Sequence, residues 1–310
     1  MAEYDNGQLV MLVIDDDERY VDALFRDGQR HGILLRHAGN LDEGIRLFEG
    51  PEGEHLSGII LDVECYRRGD QETPDSSFII AATKYFNEKA AALPLVAITG
   101  VQPLFERFQK DFAGIWRVYR KGRDEGEMLA WLRDKGRELA WVKIEARYPD
   151  IFAIVAEHLG SDARHELLDC LTHLEETALP RIRGNLANIR SLQEKIYLAL
   201  HRLDPAMVPR QFISVRGDEE GKISINVGLI LDHLKGGYDA KLQMNTGKVY
   251  LHYRSIIYRF SEMVYKVASD GIHAIDEGGA VKPTRYTVQA VTFALMDLLL
   301  WLRRIADTKG

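Results

Sequence analysis

Through residue 123 the chain alternates short strand-like runs with stretches of helical periodicity. VMLVI (10–14) ends in three aspartates, and residues 17–30 then place Val21, Leu24 and Phe25 on one helical face. ILLRHA (33–38) reads as a second strand, followed by Asn40 as the cap of a helix carrying Leu41, Ile45 and Phe48. GIILDV (58–63) is a third strand, residues 76–92 a third helix, PLVAIT (94–99) a fourth strand and residues 103–113 a fourth helix. WRVYRK (116–121) is the fifth strand, and a helix opens near Asp124. Strands buried on both faces read as apolar runs without alternation, so five such β–α units predict a doubly wound, five-stranded parallel sheet.

From Asp124 to Arg147 no proline interrupts, and Met128, Leu132, Leu139 and Val142 recur at helical intervals. This predicts one long helix over 124–148, ended where Tyr148-Pro149 forces a break. Beyond it the pattern is mainly helical: Ile151–Leu159, then a helix capped by Ser161 or Asp162 that runs to about Ala178. Residues 181–203 put Ile182, Leu186, Ile189, Ile196, Leu200 and Leu203 at heptad-like positions, a stripe that suits a bundle or a dimer. Two β-rich runs within 211–227 flank a polar, glycine-containing turn, which is a hairpin pattern. Tyr250–Ser269 places Tyr253, Ile256, Ile257, Phe260, Val264 and Val267 on one helical face. Thr284 caps a last helix whose apolar side holds Val288, Val291, Leu295, Leu298, Leu299, Leu302 and Ile305. The expected organisation is an α/β core over 1–123, the long helix over 124–148 and a mainly α domain over 149–310, a helical bundle with one β-hairpin.

Composition narrows the class without changing that outline. An apolar content of 46% and a charged content of 28% are ordinary for a soluble chain of 310 residues. The best membrane candidate, ALMDLLLWL (294–302), is too short to span a bilayer and carries Asp297. The N-terminal MAEYDNGQLV lacks the pattern of a signal peptide. A cytoplasmic protein with no membrane partner is expected. Cys65 and Cys170 lie far apart and match no metal spacing. Residues 1–144 hold 19 Lys and Arg against 26 Asp and Glu, whereas residues 145–310 hold 21 of each. Neither half is basic overall, which argues against a nucleic-acid partner.

The polar residues fall where the apolar strands run out: Asp15, Asp16 and Asp17 after the first, Asp62 in the third, Thr99 in the fourth and Lys121 in the fifth. Sites in doubly wound sheets form at these carboxyl ends. In order and spacing, VIDDD, ILDV, AITG and YRKG resemble the receiver domain of two-component response regulators, over roughly residues 8–140. The resemblance implies a flavodoxin-like receiver fold and a site for Mg²⁺ (or Mn²⁺), a cation that suits oxygen ligands. Asp16 and Asp62 would bind it directly, Asp15 through water, and the backbone carbonyl of Glu64 would complete the protein ligands. Asp62 would be the phosphoacceptor, with Lys121 on one phosphate oxygen and Thr99 on another. The implied partner is a histidine kinase or a histidine phosphotransfer protein.

Two positions depart from the family pattern. Gly122 follows Lys121 where proline is usual, and Val118 stands where an aromatic often switches, with Trp116 and Tyr119 expected to point elsewhere. Asp17 reads as a helix cap rather than a ligand, and Cys65 as an inert loop cysteine. The polar loop 65–75 is long enough to form a partner surface. In the second half, His165-Glu166 faintly resembles a phosphorylatable helix, although a surface histidine is the simpler reading. Residues 270–280 read as a connecting loop, and the Lys/Arg and tyrosine mixture of 248–266 as core plus solvated face.

The expected function is a response regulator in which phosphorylation of Asp62 controls a helical protein-interaction or dimerisation output. It is not an enzyme with external substrates. A homodimer is a candidate assembly, and the downstream partner is unidentified. Three alternatives stand beside it: a receiver-gated helical enzyme (phosphotransferase, phosphatase or nuclease), a nucleic-acid-binding helical output, and a phosphorylation-independent interaction protein.

Overall fold

The computed structural model describes residues 8–50, 53–74, 76–215, 223–236, 238–239, 244–245, 247–273 and 282–309. The chain divides into two compact units, Met1–Arg147 and Tyr148–Gly310.

In the first unit the elements run β1 (Leu9–Ile14), α1 (Glu18–Arg30), β2 (Ile33–Ala38), α2 (Leu41–Glu49), β3 (Leu56–Asp62) and α3 (Ser77–Lys89). They continue with β4 (Leu95–Thr99), α4 (Gln102–Asp111), β5 (Arg117–Arg120), α5 (Glu125–Glu138) and α6 (Ala140–Arg147). The sheet is parallel throughout, with strand order β2-β1-β3-β4-β5. Alternate residues of each strand feed two separate cores, as the period of two requires. Val10, Leu12, Ile14, Ile59, Leu61 and Ala97 pack with α2, α3 and α4. Leu9, Met11, Val13, Ile60, Val96 and Ile98 pack with Val21 and Leu24 of α1 and with Met128, Leu129 and Leu132 of α5. Both faces of the sheet are thus covered, which explains why its central strands lack polar alternation.

The local signals act as read. Asp17 accepts hydrogen bonds from the backbone of Arg19 and Tyr20, and Asn40 accepts one from Glu43. Loop 65–74 is folded onto the start of α2: the amides of Leu41 and Asp42 donate to the carbonyls of Tyr66 and Arg67. Cys65 is buried, and burial with the nearby carboxylates pushes its thiol upward, so it is less reactive than a surface thiol.

The single helix expected over 124–148 is instead two. Leu139 adopts an extended conformation (ψ 137°) between α5 and α6, and its amide donates to the Gly136 carbonyl. Gly136, the weak helix former of the segment, lies three residues before the break. The side of α5 at Gly136 lies against the sheet so closely that an added Cβ would meet Leu9, Met11 and the Ser57 carbonyl at 3.1–3.3 Å. That docking constraint is tertiary, and periodicity does not carry it.

The second unit contains α7 (Pro149–His158), α8 (Ser161–Thr172), α9 (Leu179–Leu203), β6 (Ile213–Val215), β7 (Ile223–Ile225) and α10 (Val227–Leu234). Then follow β8 (Tyr238–Asp239), β9 (Met244–Asn245), α11 (Ile256–His273) and α12 (Arg285–Lys309). Helix α9 is central and packs against α8, α11 and α12. Its stripe of Ile182, Leu186, Ile189, Ile196 and Leu200 is buried within the bundle, so it is consumed inside the unit. Gln193, Tyr197 and Ser261 form a buried polar knot between α9 and α11.

Strands β6 and β7 pair antiparallel, as the hairpin pattern predicts, while its turn, 216–222, lies outside the described residues. So does 274–280 of the expected connecting loop. Helix α8 stops at Thr172 rather than near Ala178, and Gly160 (φ 91°) precedes it without a side-chain cap. Helix α10, capped by Asn226, and the short β8–β9 pair were not anticipated. Glu166 is engaged by Ser191 and Lys195 of α9, which gives it a structural role beside His165.

Leu186 lies against Gly271 with no room for an added Cβ. Leu186→Ala should cost about 3 kcal/mol, because the cavity sits where two helices are in close approach and cannot collapse freely. Chemical denaturation of the two proteins measures this.

Candidate functional site

Backbone pairing brings four strand ends to one edge of the sheet. The Asp15 amide donates to the Ala38 carbonyl (3.1 Å), that of Val63 to Ile98 (3.0 Å) and that of Lys121 to Thr99 (2.9 Å). Each residue that follows an apolar run is therefore still held by a ladder bond from its neighbour. Asp15 and Asp62 are buried and Asp16 is half-buried, and oxygens from the three carboxylates lie within 4.8 Å of one another.

Lys121 crosses from β5 to meet them. Its Nζ lies 2.6 Å from Asp62 Oδ2 and 2.7 Å from Asp15 Oδ2, with the Tyr20 ring 4.8 Å away. The other Asp62 oxygen accepts from the Val63 amide at 2.7 Å, and Asp15 Oδ1 accepts from Asp17 at 3.0 Å. Thr99 is buried, and its hydroxyl oxygen accepts from the Val101 amide at 3.1 Å. Glu64 follows two residues after Asp62, on the loop leaving β3.

One ammonium does not neutralise two buried carboxylates. Burial first, then repulsion from Asp15, raises Asp62 to about 7 against the pull of Lys121. Asp15 is also raised, chiefly by burial. Burial works against the charge of Lys121, and its two carboxylate partners more than offset this, holding it above the usual lysine value. Three carboxylates with too little positive charge fit a hard divalent cation. Asp15, Asp16 and Asp62 are the residues that would hold it.

The sequence reading missed the residues that hold this edge rigid. Tyr20 stands beneath Lys121, and His37 Nε2 bonds the Asp15 carbonyl at 2.8 Å. After Lys121, Gly122 has φ +76°, a conformation that favours glycine. Its amide donates to Glu125, while the Arg120 guanidinium forks onto Asp124 (2.9 and 3.0 Å). Asp124 also accepts from the Arg120 amide at 3.0 Å and makes no helix-capping bond, contrary to a simple helix start. Side chains thus stiffen the turn where a proline was expected. The pair Arg120 and Asp124, four apart across a strand end, was the available signal. On β5, Tyr119 faces the α1–α5 core, as expected. Trp116 instead packs with Val118 in the α2–α4 core, because residues two apart share a face.

No protein-family model and no curated protein matches the chain. Among solved structures it is similar to a response regulator receiver domain protein from Clostridium thermocellum, at 16% identity and a TM-score of 0.33. That match covers 42% of this chain and 94% of the other. A CheY-like receiver domain protein from Methanospirillum hungatei JF-1 matches at 18% identity and TM-score 0.32, over 42% and 95% of the two chains. A response regulator protein from Burkholderia pseudomallei, with a phosphorylated aspartic acid, calcium ion and citrate, matches at 21% identity and TM-score 0.32, over 51% and 89%.

The raised carboxylate has a consequence for stability. Folded Asp62 keeps its proton to about pH 7, whereas an unfolded one releases it near 3.8. Between these values the folded state binds more protons, so stability of the metal-free protein should fall as pH rises from about 4 to 7. Melting curves in EDTA should show that decline, Mg²⁺ should reverse it most strongly above pH 7, and Asp62→Asn should flatten it. The strand order β2-β1-β3-β4-β5, parallel throughout with helices on both faces, gives the N-terminal unit a flavodoxin-like, doubly wound fold.

Proposed function

We propose that the chain is a response regulator in which Asp62 accepts a phosphoryl group from a phosphohistidine on a kinase or phosphotransfer protein. The observation that carries this reading is Lys121 Nζ held between Asp62 and Asp15, beside Asp16. An Asp62 oxygen attacks phosphorus, the phosphorus–nitrogen bond to the donor breaks, and the donor imidazole leaves with its electron pair and takes a proton from solvent. Lys121, already at the acceptor oxygen, turns to a phosphoryl oxygen, and the Thr99 hydroxyl donates to another. A bound divalent cation would supply charge neutralisation of the carboxylates and the incoming phosphoryl group.

The Thr99 hydroxyl oxygen accepts from the Val101 amide, which leaves its own proton free to be donated in that bond. Because Thr99 and Lys121 are joined through the β4–β5 ladder, a shift at either is felt along that edge. No helix in the described residues is long and apolar enough to cross a membrane. The output proposed for the helical unit is regulated protein contact in the cytoplasm rather than catalysis on an external substrate.

Intact mass after incubation with acetyl phosphate and Mg²⁺ tests the reading. Wild type should gain one phosphoryl group and Asp62→Asn none, while Lys121→Ala should be slowed about a hundredfold. If folded wild type takes up neither phosphate nor beryllofluoride, the reading fails.

A further inference from the structure

The segment between β9 and α11 departs from its expected place in a core. Helix α11 begins at Ile256, so the residues before it form a surface strap with Val249 54% and Tyr253 52% exposed, followed by Ile256, 62% exposed, at the helix start. Residues 247–261 contain Lys248, Arg254 and Arg259 but no Asp or Glu. None of the three cations has an ion pair among the described residues, and all three are exposed. Asp232 of α10 pairs with Lys235 at the end of that helix, and Glu262, the carboxylate of α11 nearest the strap in sequence, pairs with Lys266. A half with equal numbers of acids and bases therefore presents a local cationic surface that its charge balance conceals.

Aromatic rings are interleaved with these charges. His252 and Tyr253 stack at 4.7 Å with 27° between planes, and Arg254 Nε donates to the Tyr253 hydroxyl at 3.0 Å. Lys248 Nζ lies 4.4 Å from the Tyr250 ring centroid. The strap is anchored: the amides of Tyr250 and Leu251 both donate to the Leu234 carbonyl at 2.9 Å, and Leu251 is buried. Tyr250 stacks on the buried His233. Gly236 (φ +78°) lets the end of α10 approach so closely that an added Cβ would be 2.9 Å from Val249.

We propose that residues 248–259 form a preorganised platform for single-stranded nucleic acid, with bases stacking on the His252–Tyr253 pair and Lys248, Arg254 and Arg259 engaging phosphates. An exposed stacked pair of rings beside cations that no described carboxylate pairs is what an unpaired strand requires, and the anchored backbone lowers the ordering cost of binding. The inference is independent of phosphorylation at Asp62.

Fluorescence anisotropy of the full chain with labelled oligo(U) and oligo(dT) of about 20 nucleotides tests it, a length that exceeds the roughly 4–16 nucleotides of a typical single-strand site. Binding of either polymer is expected, and the tighter of the two identifies RNA or DNA as the source. Three phosphate contacts predict a log–log salt slope of about −2, or about a fifteenfold loss between 50 and 200 mM salt. Tyr253→Ala should weaken binding about tenfold, Tyr253→Phe should retain it, and Lys248→Glu with Arg254→Glu should abolish it, with circular dichroism confirming each fold. Absence of binding at 50 mM salt overturns the proposal. So does binding unaffected by Tyr253→Ala and displaced equally by polyglutamate, which would assign the surface to an acidic protein.

Discussion

The ion cluster of Lys121, Asp15 and Asp62 ties together three strand ends of the N-terminal unit. Two carboxylates cannot be buried together without compensation, and a single ammonium reaches both at 2.6–2.7 Å. Removing one member of such a buried set typically costs about 3–5 kcal/mol, because the remaining charge is stranded. The cluster can form only if β1, β3 and β5 end at matching heights. The parallel register and the ladder bonds that continue past each strand set those heights. Sheet geometry and site chemistry are therefore one constraint.

That arrangement is deliberately short of positive charge in its physical consequences. Burial first, and then the repulsion between the two carboxylates, raises Asp62. The rigid parts of the edge, Tyr20, His37 and the Arg120–Asp124 fork, keep the carboxylates from relaxing apart. Lys121 is held at both ends, its amide on the Thr99 carbonyl and its ammonium between the two carboxylates.

The helical unit follows a different economy. Its core rests on α9, a 25-residue helix whose buried face touches three other helices. The apolar stripe is used within the unit, so its surface character comes from the segments between helices. There the strap at 247–256 combines exposed rings and cations on a fixed backbone.

Much of the first unit was legible in the chain itself. Apolar runs, capping Asp17 and Asn40, and polar residues at the run ends each act locally, so they predict strands, helix starts and Asp15, Asp16, Asp62, Thr99 and Lys121 as neighbours. Several features needed the third dimension. The break at Leu139 depends on how α5 lies on the sheet, and the face of Trp116 on its strand neighbours. The turn at Gly122 depends on Arg120 finding Asp124. The exposure of Tyr253 and Ile256 depends on where α11 begins, which periodicity alone placed six residues too early. Local pattern determined which residues could form each element and which carried chemistry. Only packing decided where helices stop, which rings are left in water and how closely Lys121 approaches its two carboxylates, because those outcomes are set by contacts between residues far apart in the chain.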